Sequence, residues 1–192
     1  MITKDRSYRS FEVRASEEGQ FVEGYAAVFD HPEVMWEFDG IKYMEEIRSG
    51  AFDKAEMKDV VLNFNHGGKP VARTKNSTLT LSVEPKGLFI RADLSGTEEG
   101  RRLFEEVRGG YLDKMSFAFT VNSEEYDKAQ HLRSITEVKR LYDVAIVDMP
   151  AYESTSVVAR SFFQVEAERE AVKTVRRARQ KRILDLDKEA IL

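Results

Sequence analysis

The chain has no cysteine, which excludes disulfides, thiolate metal sites and a cysteine nucleophile. No apolar run reaches the roughly 18 residues needed to span a bilayer. The first ten residues, MITKDRSYRS, lack the apolar stretch of a secretory signal. A soluble, intracellular protein without contact to a membrane is expected. Charge of one sign is not in excess either. Thirty Lys and Arg stand against 34 Asp and Glu, for a net charge of −4 and a pI near 5.6. That balance, with no basic strand face carrying interleaved aromatics, argues against a nucleic-acid partner. Also missing are a Gly-rich phosphate loop, a paired-acid glycosidase signature, a metal-spaced His cluster and a Gly-x-Ser-x-Gly elbow. Neither a cofactor nor a metal is expected.

What is present suits one well-packed unit: 192 residues, 42% of them hydrophobic, are enough for one domain and short for two. SFEVRAS and FVEGYAAVF read as two strands around the turn EEGQ. Gly24 inside the second suggests a bulge or a close backbone approach. Residues 30 to 42 are rich in turn residues and read as a loop. YMEEI at 43 to 47 reads as a short strand, and SGAFDKAEM after it as the start of a helix capped by Ser49. VVLNFNH at 60 to 66, STLTLSVEP at 77 to 85 and GLFIRADL at 87 to 94 read as strands, the last two joined by a turn at Pro85-Lys86-Gly87. SGTEEGRRLFEEVRGG at 95 to 110 is the clearest internal helix. Acidic residues sit in its first turn, Leu103, Phe104 and Val107 share a face, and Gly109-Gly110 stop it.

Residues 115 to 123, 130 to 139 and 141 to 149 read as three further strands. From about residue 162 the chain is heavily charged, without Gly or Pro, and predicts a long helix outside the main sheet. The basic cluster Lys173, Arg176, Arg177, Arg179, Lys181 and Arg182, balanced by flanking acids, reads as a solvated face. The expected fold is α+β, mainly β: an antiparallel β-barrel of about eight strands with a few helices around it. Residues 1–160 form the barrel domain, and residues 161–192 form a charged C-terminal helical extension.

Three apolar runs each carry one polar group capable of chemistry. NFNHGG at 63 to 68 holds His66, MSFAF at 115 to 119 holds Ser116, and LYDVAIVDMPAY at 141 to 152 holds Asp143. A nucleophile, a base and a group that orients the base are what acyl transfer by a serine requires. If its strand runs that far, His66 shares a face with Val60, Leu62 and Phe64 in steps of two. In the second run Phe117, Phe119 and Val121 make one face, while Ser116, Ala118 and Thr120 make a small one that leaves space over the serine. Asp143 lies on an apolar strand and needs a partner there. A ring nitrogen of His66 or a nearby Arg or Lys would serve. Glu137 and Asp148 are alternative carboxylates for the third role. His31 and His131 stand in polar surroundings and read as structural or surface residues.

These segments resemble the prohead (procapsid maturation) serine proteases of tailed bacteriophages, a family related in fold to herpesvirus assemblin. The resemblance rests on GYAAVF at 24 to 29, YMEEIRSGAF at 43 to 52, VVLNFNHG at 60 to 67, KGLFIRADL at 86 to 94, YLDKMSFAF at 111 to 119 and LYDVAIVDMPAYESTSV at 141 to 157. Its most specific parts are the NHG and MSFAF pair in this order and the apolar strand ending in PAY. Where many relatives read an acid, then Val, then Ser, this chain reads Asp143-Val144-Ala145. The resemblance implies an assemblin-like fold and a serine endopeptidase with a Ser116, His66 and Asp143 triad. It implies action in the host cytoplasm, inside the assembling procapsid, where the enzyme cleaves scaffold or the scaffold-like segment of the major capsid protein and then itself. Self-association is compatible with it. The competing reading is a catalytically inactive, protease-like scaffold protein for capsid assembly.

Overall fold

A computed structural model describes residues 7–148 and 157–189. Among the described residues the strands, in chain order, are β1 (Ser7–Ala15), β2 (Phe21–Val28), β3 (Glu33–Phe38), β4 (Ile41–Ile47), β5 (Val61–Phe64), β6 (Gly67–Arg73), β7 (Leu79–Glu84), β8 (Gly87–Asp93), β9 (Lys114–Asp127) and β10 (Leu132–Val147). Helix α1 spans Glu98–Arg108 and helix α2 spans Val157–Glu189. Thr97 caps α1 by accepting from the Gly100 amide at 2.9 Å, and Glu98 and Glu99 occupy its first turn.

All ten strands join one sheet in the order β3-β4-β10-β9-β1-β2-β8-β7, with β5 and β6 branching from β10. The expected antiparallel barrel is therefore corrected to a mixed, ten-stranded sheet that does not close on itself. The cause lies in β10. It runs sixteen residues, pairs antiparallel with β9 along most of its length, and takes two short strands in parallel on its other edge. Residues Leu132–Ile135 pair with β4, and Asp143–Ile146 pair with β5. The two separate strands expected at 130 to 139 and 141 to 149 are this single strand, bent by register shifts between Ile135 and Asp143.

Two-residue turns explain the other departures. Asp39 and Gly40, with φ of 53° and 75°, join β3 to β4 and set Phe38 opposite Ile41. Asn65 and His66, with φ of 48° and 54°, join β5 to β6 and set Phe64 opposite Gly67. Positive φ at both central residues matches the twist of the flanking strands. The turn residues of 30 to 42 thus mark the tip of a hairpin rather than a loop, and β5 stops before His66. The SGAFDKAEM segment forms turns, not a helix. Ala51 bonds back to Arg48 and Asp53 to Gly50, and Glu56 then bridges to Arg140 of β10.

The core lies on one face of the sheet and against α1. Phe52, Leu62, Ile90, Leu103, Phe117 and Val144 belong to one buried cluster. A second cluster lies under α2, where Phe163 is fully buried against Tyr43 and Tyr126, with ring centroids at 5.5 and 6.3 Å. Phe162, Phe163, Glu166, Ala167 and Glu170 of the extension are sheltered in this way, whereas residues 171–180 are exposed throughout.

Candidate active site

Strand alternation builds the site floor. Across β9 and β10, Ser116 stands opposite Ala145 and Ala118 opposite Asp143. These four residues share one face, and Phe117, Phe119, Val144 and Ile146 point the other way into the core. The small face expected from the sequence is real, although it too is buried: Ser116 is 1% exposed.

His66 reaches this floor from the β5–β6 turn, not from the strand face shared with Leu62. Leu62 points into the core, so the expected alignment of His66 with Val60, Leu62 and Phe64 is corrected. Asn65 fixes the turn in place. Its amide donates to the Ile146 carbonyl at 3.0 Å, and its side-chain Oδ1 accepts from the Asp148 amide at 3.2 Å. Asn is also among the few non-glycine residues that adopt a left-handed backbone readily.

From the turn, the imidazole touches both partners. Nε2 lies 2.8 Å from Ser116 Oγ, and Nδ1 lies 2.6 Å from Asp143 Oδ1. An ionised carboxylate can only accept, so Nδ1 carries a proton and donates to Asp143. Nε2 is then left to accept from the Ser116 hydroxyl. That is the polarity a base needs toward a nucleophile. The His66 and Asp143 side chains are only 13% and 7% exposed, so water competes weakly for these bonds.

Of the alternative carboxylates, Glu137 stands far from the trio, whereas Asp148 lies next to the His66 turn. Glu137 is opposite Ser123, six positions before Asp143 along β10, or roughly 20 Å at strand rise. It accepts from Asn122 Nδ2 at 2.6 Å and lies 3.9 Å from Lys54 Nζ. Asp148 follows the end of β10 and contributes its amide to the Asn65 contact. His31 is exposed, and His131 packs its ring against Tyr43 at 5.0 Å. The PAY end of the third motif, residues 150–152, lies outside the described residues.

Two asparagines at this site were not singled out from the sequence. Asn65 pins the turn. Asn63 is buried opposite Ala145, and its Oδ1 has no hydrogen-bond partner among the described residues. The signal for both was a pair of Asn residues interrupting an apolar run, one of them directly before the histidine. Beside the turn a cavity of about 660 Å³ opens between the β5–β6 hairpin and α1, with Phe64, Asn65, Gly67, Val71 and Leu103 among its lining.

Among known proteins, the prohead protease of Enterobacteria phage HK97 is 26% identical over 166 residues, covering 82% of this chain and 68% of that protein. The solved structure of the bacteriophage T4 capsid assembly protease superposes with a TM-score of 0.51 at 13% identity, over 76% of this chain and 98% of that one. At that identity the likeness speaks for the fold alone. The family model for the caudovirus prohead serine protease matches residues 9–169, a span that holds all three residues of the hydrogen-bonded chain, and this protein belongs to that family.

Proposed function

We propose that this serine peptidase of phage capsid maturation works through Ser116 as nucleophile, His66 as general base and Asp143 as the group that orients the base. Ser116 Oγ attacks the peptide carbonyl while its proton passes to His66 Nε2. His66 then gives that proton to the leaving amine. An acyl-enzyme remains on Ser116, and water activated by the same ring hydrolyses it. Asp143 holds the Nδ1–H tautomer and stabilises the imidazolium that forms at each proton transfer. The substrates under this reading are scaffold or the scaffold-like segment of the major capsid protein, followed by the enzyme itself.

The observation that carries the reading is the unbroken chain from Ser116 through His66 to Asp143, drawn from three segments far apart in sequence. A buried imidazole needs a partner on each nitrogen whatever its role; what favours the catalytic reading of this trio is that it lies within the span matched by the serine protease family. Because Ser116 is closed off from solvent, a peptide reaches it only when the surrounding contacts relax.

The test is co-expression with the neighbouring capsid protein, wild type against Ser116→Ala, read by intact mass. Processing by the wild type alone is expected. Full processing by a correctly folded Ser116→Ala protein would remove this serine from the mechanism.

A further inference from the structure

The rungs of a parallel ladder are evenly spaced, each alternate residue of one strand bonding to both sides of its partner on the other. Val61–Phe64 of β5 pair in this way with Asp143–Ile146 of β10. The Asn65 amide adds the next rung by donating to the Ile146 carbonyl at 3.0 Å. In a continuing ladder the rung after that would run from the Asp148 amide to the Asn65 backbone carbonyl. The chain turns away at this point, with φ of 48° at Asn65 and 54° at His66. The Asp148 amide donates instead to Asn65 Oδ1 at 3.2 Å. The side chain of Asn65 thus stands in for its own backbone carbonyl and lengthens the ladder by one rung while the backbone leaves it.

Few residues meet both demands of this position. It needs a left-handed backbone, which Gly, Asn and Asp adopt most readily, and a short side-chain acceptor that mimics a backbone carbonyl, which Gly lacks. His66 brings no comparable anchor to the turn. Its ring is held at 2.6 Å by Asp143 and 2.8 Å by Ser116, but its backbone occupies the second central position of a two-residue hairpin turn, where glycine is preferred. The backbone from which the ring reaches is tied down through Asn65, by one main-chain and one side-chain bond. Both lead to the end of β10, the strand that carries Asp143.

We infer that Asn65 is a positioning residue for the proton transfer. Its side-chain bond to the Asp148 amide fixes the turn against β10, and with it the reach of His66 Nδ1 to Asp143 and of Nε2 to Ser116. The inference rests on the roles proposed above for those three residues. Without the side-chain bond the turn keeps the single tie of the Asn65 amide, about which it can pivot. A shift of about 1 Å at a reacting group is worth roughly 100-fold in rate. Losing one exposed hydrogen bond lowers the Tm of a chain this size by only about 2–4 °C. The effect on rate therefore exceeds the effect on stability.

The test compares Asn65→Gly, which keeps the left-handed backbone and deletes the acceptor, with Asn65→Asp, which keeps both. The substrate is a peptide spanning the junction that co-expression with the capsid protein maps. Asn65→Gly should lower kcat roughly 10–100-fold, with KM within about twofold and Tm within about 4 °C of wild type. Asn65→Asp should bring kcat back to within about threefold of wild type, read on the alkaline plateau because the new carboxylate favours the imidazolium. The 15N shifts of the His66 ring, assigned against His66→Gln, give a readout that needs no turnover. They should show a single tautomer with the proton on Nδ1 in the wild type and in Asn65→Asp, and a mixture in Asn65→Gly. An unchanged kcat and an unchanged ring in Asn65→Gly overturn the inference, and so does an equal loss in both variants. A kcat loss that comes with a Tm fall of about ten degrees or more also overturns it and makes the bond structural. If the ring changes in Asn65→Gly while Ser116→Ala still processes capsid protein, the placement of His66 by Asn65 stands and the serine mechanism fails.

Discussion

Asp143→Asn separates the catalytic from the structural reading of the buried trio. The substitution keeps the shape of the side chain and removes its charge. Asn can present its amide to His66 Nδ1, now 2.6 Å from the carboxylate oxygen, and so favour the tautomer with the proton on Nε2. The ring then loses its acceptor toward Ser116. In serine proteases the corresponding change lowers kcat by about four powers of ten, which is about 5.4 kcal/mol of transition-state stabilisation. The effect on folding should be far smaller. A base ready to accept a proton is neutral, so the resting contact is a charge-assisted hydrogen bond rather than a full ion pair. Exchanging it for an ordinary one should cost about 1 kcal/mol, a fall in Tm of about 2–4 °C for a chain of this size. Cleavage rate per folded molecule and Tm, measured on the same sample, separate the two effects. A Tm lowered by ten degrees or more with an intact rate would refute the reasoning and make the contact a structural ion pair.

Four further outcomes follow from the packing. Ser116→Ala should abolish cleavage and leave Tm within a degree or two, since it removes one oxygen bonded to His66; unfolding of the variant would show that the hydroxyl is structural. Truncation after residue 160 should lower Tm markedly, because losing Phe163 alone from its pocket is worth about 3–5 kcal/mol. Truncation after 170, assayed at dilute concentration, should leave Tm unchanged, and equal Tm values for the two truncations would count against the docked helix. The Arg73 guanidinium donates to both Asp59 oxygens, at 2.6 and 2.7 Å, and holds that carboxyl below its usual range. A lowered folded value means the pair adds stability above the ordinary carboxylate range and loses it as pH falls through the folded value. Asp59→Asn should therefore lower Tm slightly at pH 7, with the gap to wild type closing on acidification; a gap that widens in acid would contradict the sign. Gly24→Ala should destabilise the sheet, because a Cβ there would lie 2.4 Å from the Glu12 carbonyl oxygen, and an unchanged melting curve would show that β1 and β2 can separate freely.

The strands that carry the site were legible because the period-2 pattern in MSFAFTV is unbroken, with its large residues all pointing one way, and Val144 and Ile146 continue that side across β10. Gly24 was legible for a related reason. The close approach it suggested is the place where β1 stops pairing with β9 and starts pairing with β2, between Glu12 and Val13. What failed was punctuation. Asp39-Gly40 and Asn65-His66 are hairpin tips only if strands flank them, and β3 and β6 are too mixed in composition to announce themselves. Topology was hidden for a different reason. That β10 takes β4 and β5 in parallel on one edge depends on pairings between segments about 80 residues apart, and no local pattern encodes them.

The same alternation that fills the core also aims the groups proposed for catalysis. Phe117, Phe119, Val144 and Ile146 fix the register between β9 and β10 by burying their side chains on one face. A slip of one residue would expose that set and turn Ser116 and Asp143 into the core, so hydrophobic burial guards the geometry of the polar face. His66 cannot be fixed in this way, because it belongs to a turn. Its position depends instead on the hairpin twist and on the two Asn65 bonds to the end of β10, the strand that also carries Asp143. The imidazole and its carboxylate are thus tied to one strand by hydrogen bonds, and the serine is tied to that strand by packing. Changes at Asn65 should therefore act on the placement of His66 before they act on stability.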